Sequence, residues 1–228
     1  MKEISCFDIL GPIMIGPSSS HTAGAARLGK VALYIAGDAF SRVDFILQGS
    51  FAKTYKGHGT DKALVAGILG MEPHDDNLKF ALELVKQRQI EVHFLEGDLD
   101  VSHPNSVKFI FYHLDGSTTE IVGCSIGGGN IVVKRIDGYK TSINCNYPTL
   151  FIQHTDQPGV VSNVSQLLST SGINIATMRV KRKSKGKEAS IILEADTMFP
   201  EDLVKSLLDL PNVNSVRAIR PIKEEVYV

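Results

Sequence analysis

The sequence has 228 residues, 43% hydrophobic and 21% charged, and its 24 basic and 25 acidic residues leave a formal net charge of −1. This length predicts one or two globular domains, each with a core of its own. The balanced charge argues against nucleic acid or an anionic membrane surface as a partner. We expect no membrane span, because no apolar run approaches about 20 residues. We expect no signal peptide either, because MKEISCFDILGP lacks a basic region before an apolar core.

The three cysteines, Cys6, Cys124 and Cys145, are odd in number, widely spaced and in no CxxC pattern. This pattern argues against a disulfide framework and against a metal or iron–sulfur cluster held by this chain alone. We therefore expect reduced thiols in a cytoplasmic protein and no metal ligands in the chain.

Elements in the first half of the chain alternate between helices and strands before strands take over. Apolar residues at helical spacing predict a helix over residues 22–36, ended by Gly37. A strand over residues 43–48 is followed by a glycine-containing loop as far as Gly59. The further predicted elements are helices over residues 61–69 and 76–87 and strands over residues 90–96, 107–114, 117–126 and 130–136. This order predicts an α+β domain over residues 1–140.

The second half predicts a smaller domain with a regular order. The polar stretch TSINCNYP, residues 141–148, is predicted as a linker. Residues 149–222 then follow the order βαββαβ, which is typical of the ferredoxin-like arrangement. Residues 223–228 are left as a tail.

A serine-rich loop, GPSSSHT, precedes the first predicted helix. Free N–H groups at a helix start favour anions, and the hydroxyls of Ser18, Ser19 and Ser20 add donors. His21 can move a proton near neutral pH. The loop does not match the Walker phosphate-binding pattern. The alternative is a serine-rich helix cap with an exposed histidine.

The second such loop, KGHGTD, also precedes a predicted helix. Gly57 and Gly59 flank His58 and allow close approach of the backbone, while Thr60 or Asp61 would cap the helix. The alternative is a tight turn with a surface histidine. Together the two loops favour a site for a small amino acid, which offers a carboxylate to helix ends and an α-proton to a base.

The glycine triplet in SIGGGN predicts a hairpin turn, with a ligand-facing loop as the alternative. The remaining histidines have no comparable context, and we expect structural roles for them. They are His74, His93, His103, His113 and His154.

Long motifs in the first domain resemble the β domain of bacterial iron–sulfur L-serine dehydratases. These motifs are FDILGPIMIGPSSSHTAGAARLGK, LQGSFAKTYKGHGTDKALVAGILG and SIGGGNI. The domain is also similar to the allosteric substrate-binding domain of some phosphoglycerate dehydrogenases, although SSSHT and GHGTD favour the dehydratase. The segment from TLFIQHTDQPGVV to about Ile219 resembles an ACT domain.

The resemblance implies a lyase subunit that converts L-serine to pyruvate and ammonia. It implies a separate alpha chain holding a [4Fe–4S] cluster, whose open iron would bind the serine hydroxyl, and inactivity of this chain alone. His21 and His58 would line the shared active site, and the base would be one of them or a group of the alpha chain. The residues expected to hold substrate are Ser18, Ser19, Ser20, Thr22, Gly57, Gly59, Thr60 and Asp61.

The ACT resemblance implies an amino-acid effector site, and we expect a homodimer through the ACT and beta domains. The residues expected to bind the effector are Asp156, Gln157, Pro158, Gly159, Val160 and Asn163. The alternative is a domain that only dimerises. Two other hypotheses remain for the whole chain: a stand-alone amino-acid sensor, and a regulator related to phosphoglycerate dehydrogenase, which would need a dinucleotide-binding partner domain.

Overall fold

The computed structural model describes residues 12–222, which form two compact units divided after Asn144. Cys6, the first part of the motif beginning FDILGP and the predicted tail, residues 223–228, lie outside the described residues. None of the helices within residues 12–222 is both long and apolar enough to cross a membrane.

The helices of the first unit begin with a π-helical turn, Ser19–Gly24, that continues directly into α1. The unit also has a 3-10 turn at Asp76–Phe80. Its α-helices are α1 (Ala25–Ala36), α2 (Ser50–Thr54), α3 (Thr60–Ile68) and α4 (Ala81–Gln87). Gly37 caps α1 as predicted, with its N–H donating to the carbonyl of Leu33.

The strands of the first unit form one six-stranded sheet. They are β1 (Phe40–Gly49), β2 (Glu91–Glu96), β3 (Asn105–His113), β4 (Thr118–Gly127), β5 (Asn130–Ile136) and β6 (Tyr139–Ile143). The spatial order is β2-β1-β3-β4-β5-β6. Only the β1–β2 pair among them is parallel, so the chain between β1 and β2 must cross over the sheet and carries α2, α3 and α4.

Alternate residues of β1 build the core of this unit. Val43, Phe45 and Leu47 are fully or almost fully buried. Phe45 stacks on Phe94 of β2 at 4.8 Å between ring centroids and meets Phe109 of β3 edge-on at 5.5 Å. The alternation of side chains between the two faces of a strand therefore determines which face of β1 packs against the core.

Three local expectations for the first unit were wrong. The predicted loop after β1 contains α2, and β6 occupies residues 139–143 at the start of the predicted linker. The cap of α3 is Gly59 in the left-handed region, at φ 68°, and neither Thr60 nor Asp61 caps it. The carboxylate of Asp61 instead accepts from the N–H of Lys62 at 2.8 Å.

The second unit has the predicted βαββαβ order, which confirms the ferredoxin-like class. Its elements are β7 (Thr149–Thr155), α5 (Val160–Thr170), β8 (Ile175–Arg182), β9 (Glu188–Ala195), α6 (Glu201–Leu208) and β10 (Val213–Ile219). The sheet order is β10-β7-β9-β8. Both helices bury leucine and valine side chains against the sheet, including Val164, Leu168 and Leu207.

Candidate functional site

The two loop histidines meet in the first unit. The rings of His21, in the π-helical turn, and His58, in the loop before α3, lie 4.9 Å apart between centroids in an edge-on arrangement. They come from opposite sides of β1 in sequence, so the fold brings together loops that are 37 positions apart (58 − 21). The sequence singled out both loops, and the structure joins them in one place.

The ring of His21 is held at both nitrogens by serine hydroxyls. Its Nε2 lies 3.1 Å from Oγ of Ser50, and its Nδ1 lies 3.4 Å from Oγ of Ser18. Ser18 also caps the π-helical turn by accepting from the backbone N–H of His21 at 3.1 Å. Phe51 packs edge-on against the ring at 5.2 Å. His21 is therefore fixed in position.

Burial and the neighbouring imidazole of His58 both lower the pKa of His21. This favours the neutral ring near pH 7. Burial raises the pKa of the Asp61 carboxyl, which lies three residues after His58. His58 itself is exposed, as is Gly57, so its ring faces solvent.

The serines and threonines of the two loops differ in access. Ser18, Ser19 and Ser20 are half-buried. Thr22 is 2% exposed and Thr60 is 0% exposed, and the hydroxyl of each lacks a hydrogen-bond partner. As they stand, neither threonine hydroxyl is accessible to a molecule in solvent.

The glycine triplet lies against the serine-rich loop. The hydroxyl of Ser125 donates to the carbonyl of Ser20 at 3.0 Å. The buried guanidinium of Arg27 donates through Nη1 to the carbonyl of Gly129 at 2.7 Å. A Cβ at Gly24 would lie 2.0 Å from Oγ of Ser125, so a side chain there cannot fit without movement. The β4–β5 turn therefore braces the turn that carries His21.

Comparison with known proteins decides the family. The family model of the serine dehydratase beta chain matches residues 5–94, and the ACT domain model matches residues 148–212. The chain is 40% identical to the L-serine dehydratase beta chain of Peptoniphilus asaccharolyticus, over 96% of this chain and 99% of that relative. It is 39% identical to the probable L-serine dehydratase beta chain of Bacillus subtilis (strain 168), with the same coverage.

The chain belongs to the L-serine dehydratase beta chain family. The resemblance found in the sequence is thereby confirmed. The chain is also 30% identical to D-3-phosphoglycerate dehydrogenase of Methanocaldococcus jannaschii, over 90% of this chain but 38% of that relative. That similarity agrees with the second resemblance noted for the first domain.

No group of three or more histidine, cysteine, aspartate or glutamate side chains within residues 12–222 of this beta chain is arranged to hold a metal ion. Cys124 and Cys145 are both buried free thiols. Burial raises the pKa of Cys124, and it raises the pKa of Cys145 to about 12. A cluster needs several thiolate ligands, so the described residues do not fit a [4Fe–4S] cluster.

The predicted effector loop of the ACT unit lies between β7 and α5. The carboxylate of Asp156 pairs with Nε of Arg182 at 2.6 Å and accepts from the N–H of Gly186 at 2.9 Å. These contacts lower the pKa of Asp156. Gln157, Pro158, Gly159 and Asn163 are exposed, and Val160 is buried. Asp156 therefore ties the loop to the β8–β9 turn.

Sequence reasoning missed Ser50, Phe51, Ser125 and Arg27 at the histidine site. The signal available for Ser50 was a glycine followed by serine where an apolar strand ends. Nothing in local spacing links Ser50 to His21, because the contact joins residues 29 positions apart.

Proposed function

We propose that this chain is the beta subunit of an L-serine dehydratase that converts L-serine to pyruvate and ammonia together with a separate alpha chain. The observation that carries the proposal is the pairing of His21 and His58 at 4.9 Å from two loops that each precede a helix. The relatives' names, which specify L-serine dehydratase beta chains, support the substrate and the subunit role.

The two histidines have different roles in the proposal. His58 is exposed, and its ring is the more accessible acceptor for the α-proton of serine. Burial lowers the pKa of His21 and so favours its neutral form, and its ring is held by Ser18 and Ser50, so it backs and orients His58. Loss of the α-proton and of hydroxide from Cβ gives aminoacrylate, which tautomerises to an imine that water hydrolyses to pyruvate and ammonia.

The half-buried serines of the first loop are proposed to bind the substrate carboxylate. They lie at the start of a helix, where free N–H groups and the helix dipole favour an anion. Gly57 and Gly59 leave room beside His58 for the substrate. Thr22 and Thr60 are buried, with no hydrogen-bond partner for either hydroxyl within residues 12–222, and Asp61, at the start of α3, is a substrate-binding residue of the proposal.

The [4Fe–4S] cluster is proposed to lie on the alpha chain, because the described residues of this chain do not fit it. The beta chain alone would then be inactive, and the assembled enzyme would work in the cytoplasm. The ACT unit is proposed to pair into a homodimer and to bind an amino-acid effector near Gln157, Pro158, Gly159, Val160 and Asn163. Asp156 shapes that loop through Arg182.

The first test is pyruvate formation from L-serine by the beta chain mixed with its alpha chain. Replacing His58 with Gln should lower kcat by about 100-fold or more, because a general base contributes about 10²–10⁴-fold. His74→Gln is the matched control, since His74 is exposed and outside both loops. Full turnover by both His58→Gln and His21→Gln would refute the catalytic proposal and favour a sensor without a catalytic role.

A further inference from the structure

Ser50 lies at the point where β1 ends and α2 begins, and its hydroxyl faces the histidine pair. Its Oγ is 3.1 Å from Nε2 of His21, which is closer than the 3.4 Å contact of Ser18 with Nδ1. This hydroxyl is a hydrogen-bond partner of Nε2 of His21.

The backbone at Ser50 is fixed independently of His21. Gly49 has φ 62° and ψ −122°, and a Cβ there would lie 2.8 Å from Cα of Pro104. The N–H of Ser50 donates to the carbonyl of Pro104 at 2.9 Å, and the hydroxyl of Thr54 donates to the carbonyl of Ser50 at 2.8 Å. Only glycine at position 49 permits this turn, so Ser50 is presented from a rigid frame.

The fixed position of Ser50 bears on the tautomer and the orientation of the His21 ring. A neutral imidazole carries its proton on one ring nitrogen and accepts a hydrogen bond at the other. The hydrogen-bond partners of the two nitrogens decide which nitrogen carries the proton. Ser18 accepts from the backbone N–H of His21, and its own hydroxyl hydrogen can still donate to Nδ1 at the longer distance of 3.4 Å. Ser50 makes the shorter of the two serine contacts, and its backbone also hydrogen-bonds the ring, so Ser50 has the greater hold on the tautomer and the plane of the His21 ring, against which the ring of His58 packs.

We propose that Ser50 is a positioning residue, which sets the tautomer and orientation of His21 and through it the orientation of His58. The contact between Ser50 and His21 is present in the beta chain alone. Its effect on turnover rests on the proposed function.

The first experiment uses the isolated chain and needs no alpha subunit. Ring ¹⁵N chemical shifts of His21, assigned by their loss in His21→Gln, should move in Ser50→Ala toward a different tautomer population. They should stay unchanged in Ser117→Ala, a matched control on the β3–β4 turn, and return toward the wild-type values in Ser50→Thr, which keeps the hydroxyl. Unchanged His21 shifts in Ser50→Ala, with an otherwise native amide spectrum, would overturn the proposal.

The second experiment measures turnover with the alpha chain. Ser50→Ala should lower kcat by about tenfold with little change in KM, because a small misplacement of a catalytic group costs rate rather than binding. Ser50→Thr should recover most of the rate. If the wild-type mixture forms no pyruvate, the proposed function fails while the ring shifts still decide the role of Ser50. If the wild type turns over and Ser50→Ala matches it, the positioning role is refuted.

Discussion

At the scale of single residues, environment separates groups that the sequence presents as equivalent. His21 and His58 both precede a helix, yet one is held between serines and the other is exposed. The same holds for acids: Asp44 is 4% exposed within β1, whereas Asp38, just before that strand, is exposed. Residue type alone therefore predicts chemistry less well than residue type with contacts.

The carboxylate of Asp44 has hydrogen-bond partners on three side chains, which come from three strands. Arg42 donates to it through Nε at 2.8 Å and Nη2 at 2.6 Å, Tyr112 through its hydroxyl at 3.1 Å, and Nδ1 of His93 lies 3.0 Å away. The Arg42 guanidinium, and after it Tyr112 and His93, hold the pKa of Asp44 below its usual range despite burial.

Replacing Asp44 with Asn should lower the free energy of unfolding by about 1–3 kcal/mol, because Arg42, Tyr112 and His93 lose a buried, charged acceptor. The lowered pKa gives stability that is present above the unfolded pKa of about 3.9 and is lost as pH falls through the folded pKa. Urea unfolding at several pH values should show this acid loss in the wild type and in Asp38→Asn. Equal stability of wild type and Asp44→Asn near pH 7 would contradict the assignment.

At the scale of elements, two glycines let α1 and α3 approach closely. A Cβ at Gly67 would lie 2.2 Å from the carbonyl oxygen of Ala26 and 2.7 Å from Cα of Gly29. Both contacts are with backbone, which cannot move as a flexible side chain can. Because α1 follows the turn that carries His21 and α3 follows the loop that carries His58, this contact sets the spacing of the site.

Gly67→Ala should therefore destabilise the first unit by about 1–3 kcal/mol, since overpacking outweighs the helix propensity of alanine. The free energy of unfolding, followed by circular dichroism in urea, is the measurement. The control is Gly57→Ala, whose Cβ would meet only a contact of ordinary length, 3.7 Å from the carbonyl oxygen of Thr54. A stabilised Gly67→Ala variant would show that the helices can separate without cost.

Periodicity and turn chemistry predicted most elements of both units, because α1, α5 and the alternating strands bury one face each. The five-residue helix α2 was missed because it is shorter than two helical turns and has no period to detect. The strand β6 was missed because it has only five residues and one of its buried residues, Thr141, is polar.

For a similar reason, the sequence predicted the two loops of the site but not the contact between them. Histidines beside glycines and serines at helix starts mark the two loops in the sequence. Their juxtaposition depends on the parallel pairing of β1 with β2 and on the close approach of α1 and α3, which local patterns do not encode. The contacts of Ser50 with His21 and of Ser125 with Ser20 also join residues far apart in the sequence, so local patterns do not predict them.

At the scale of the whole molecule, the chain divides into two units with separate cores. The core of the second unit is built from its own residues, including Leu150, Ile152, Ile191 and Leu193. A unit with its own core can fold on its own. The proposed effector site and the proposed substrate site thus lie in units that each have a core of their own.

A fragment of residues 145–228 should fold cooperatively by itself. Thermal unfolding followed by circular dichroism should give one sigmoidal transition, and Leu193→Ala in the fragment should cost about 2–5 kcal/mol, because the side chain is fully buried. Exposed Leu208 provides the control, since Leu208→Ala should change stability little. A fragment without a cooperative transition would show that the first unit is needed for its folding.

The parallel pairing of β1 with β2 also constrains when the histidine pair can assemble. During synthesis the segments bearing His21, Ser50 and His58 emerge before β2, β3 and the glycine turn that braces the turn carrying His21. Until residue 96 is available, β1 lacks both of its neighbours in the sheet. Pairing across such a separation is slow compared with local helix formation, so a nascent chain would carry every group of the histidine pair well before it could assemble them.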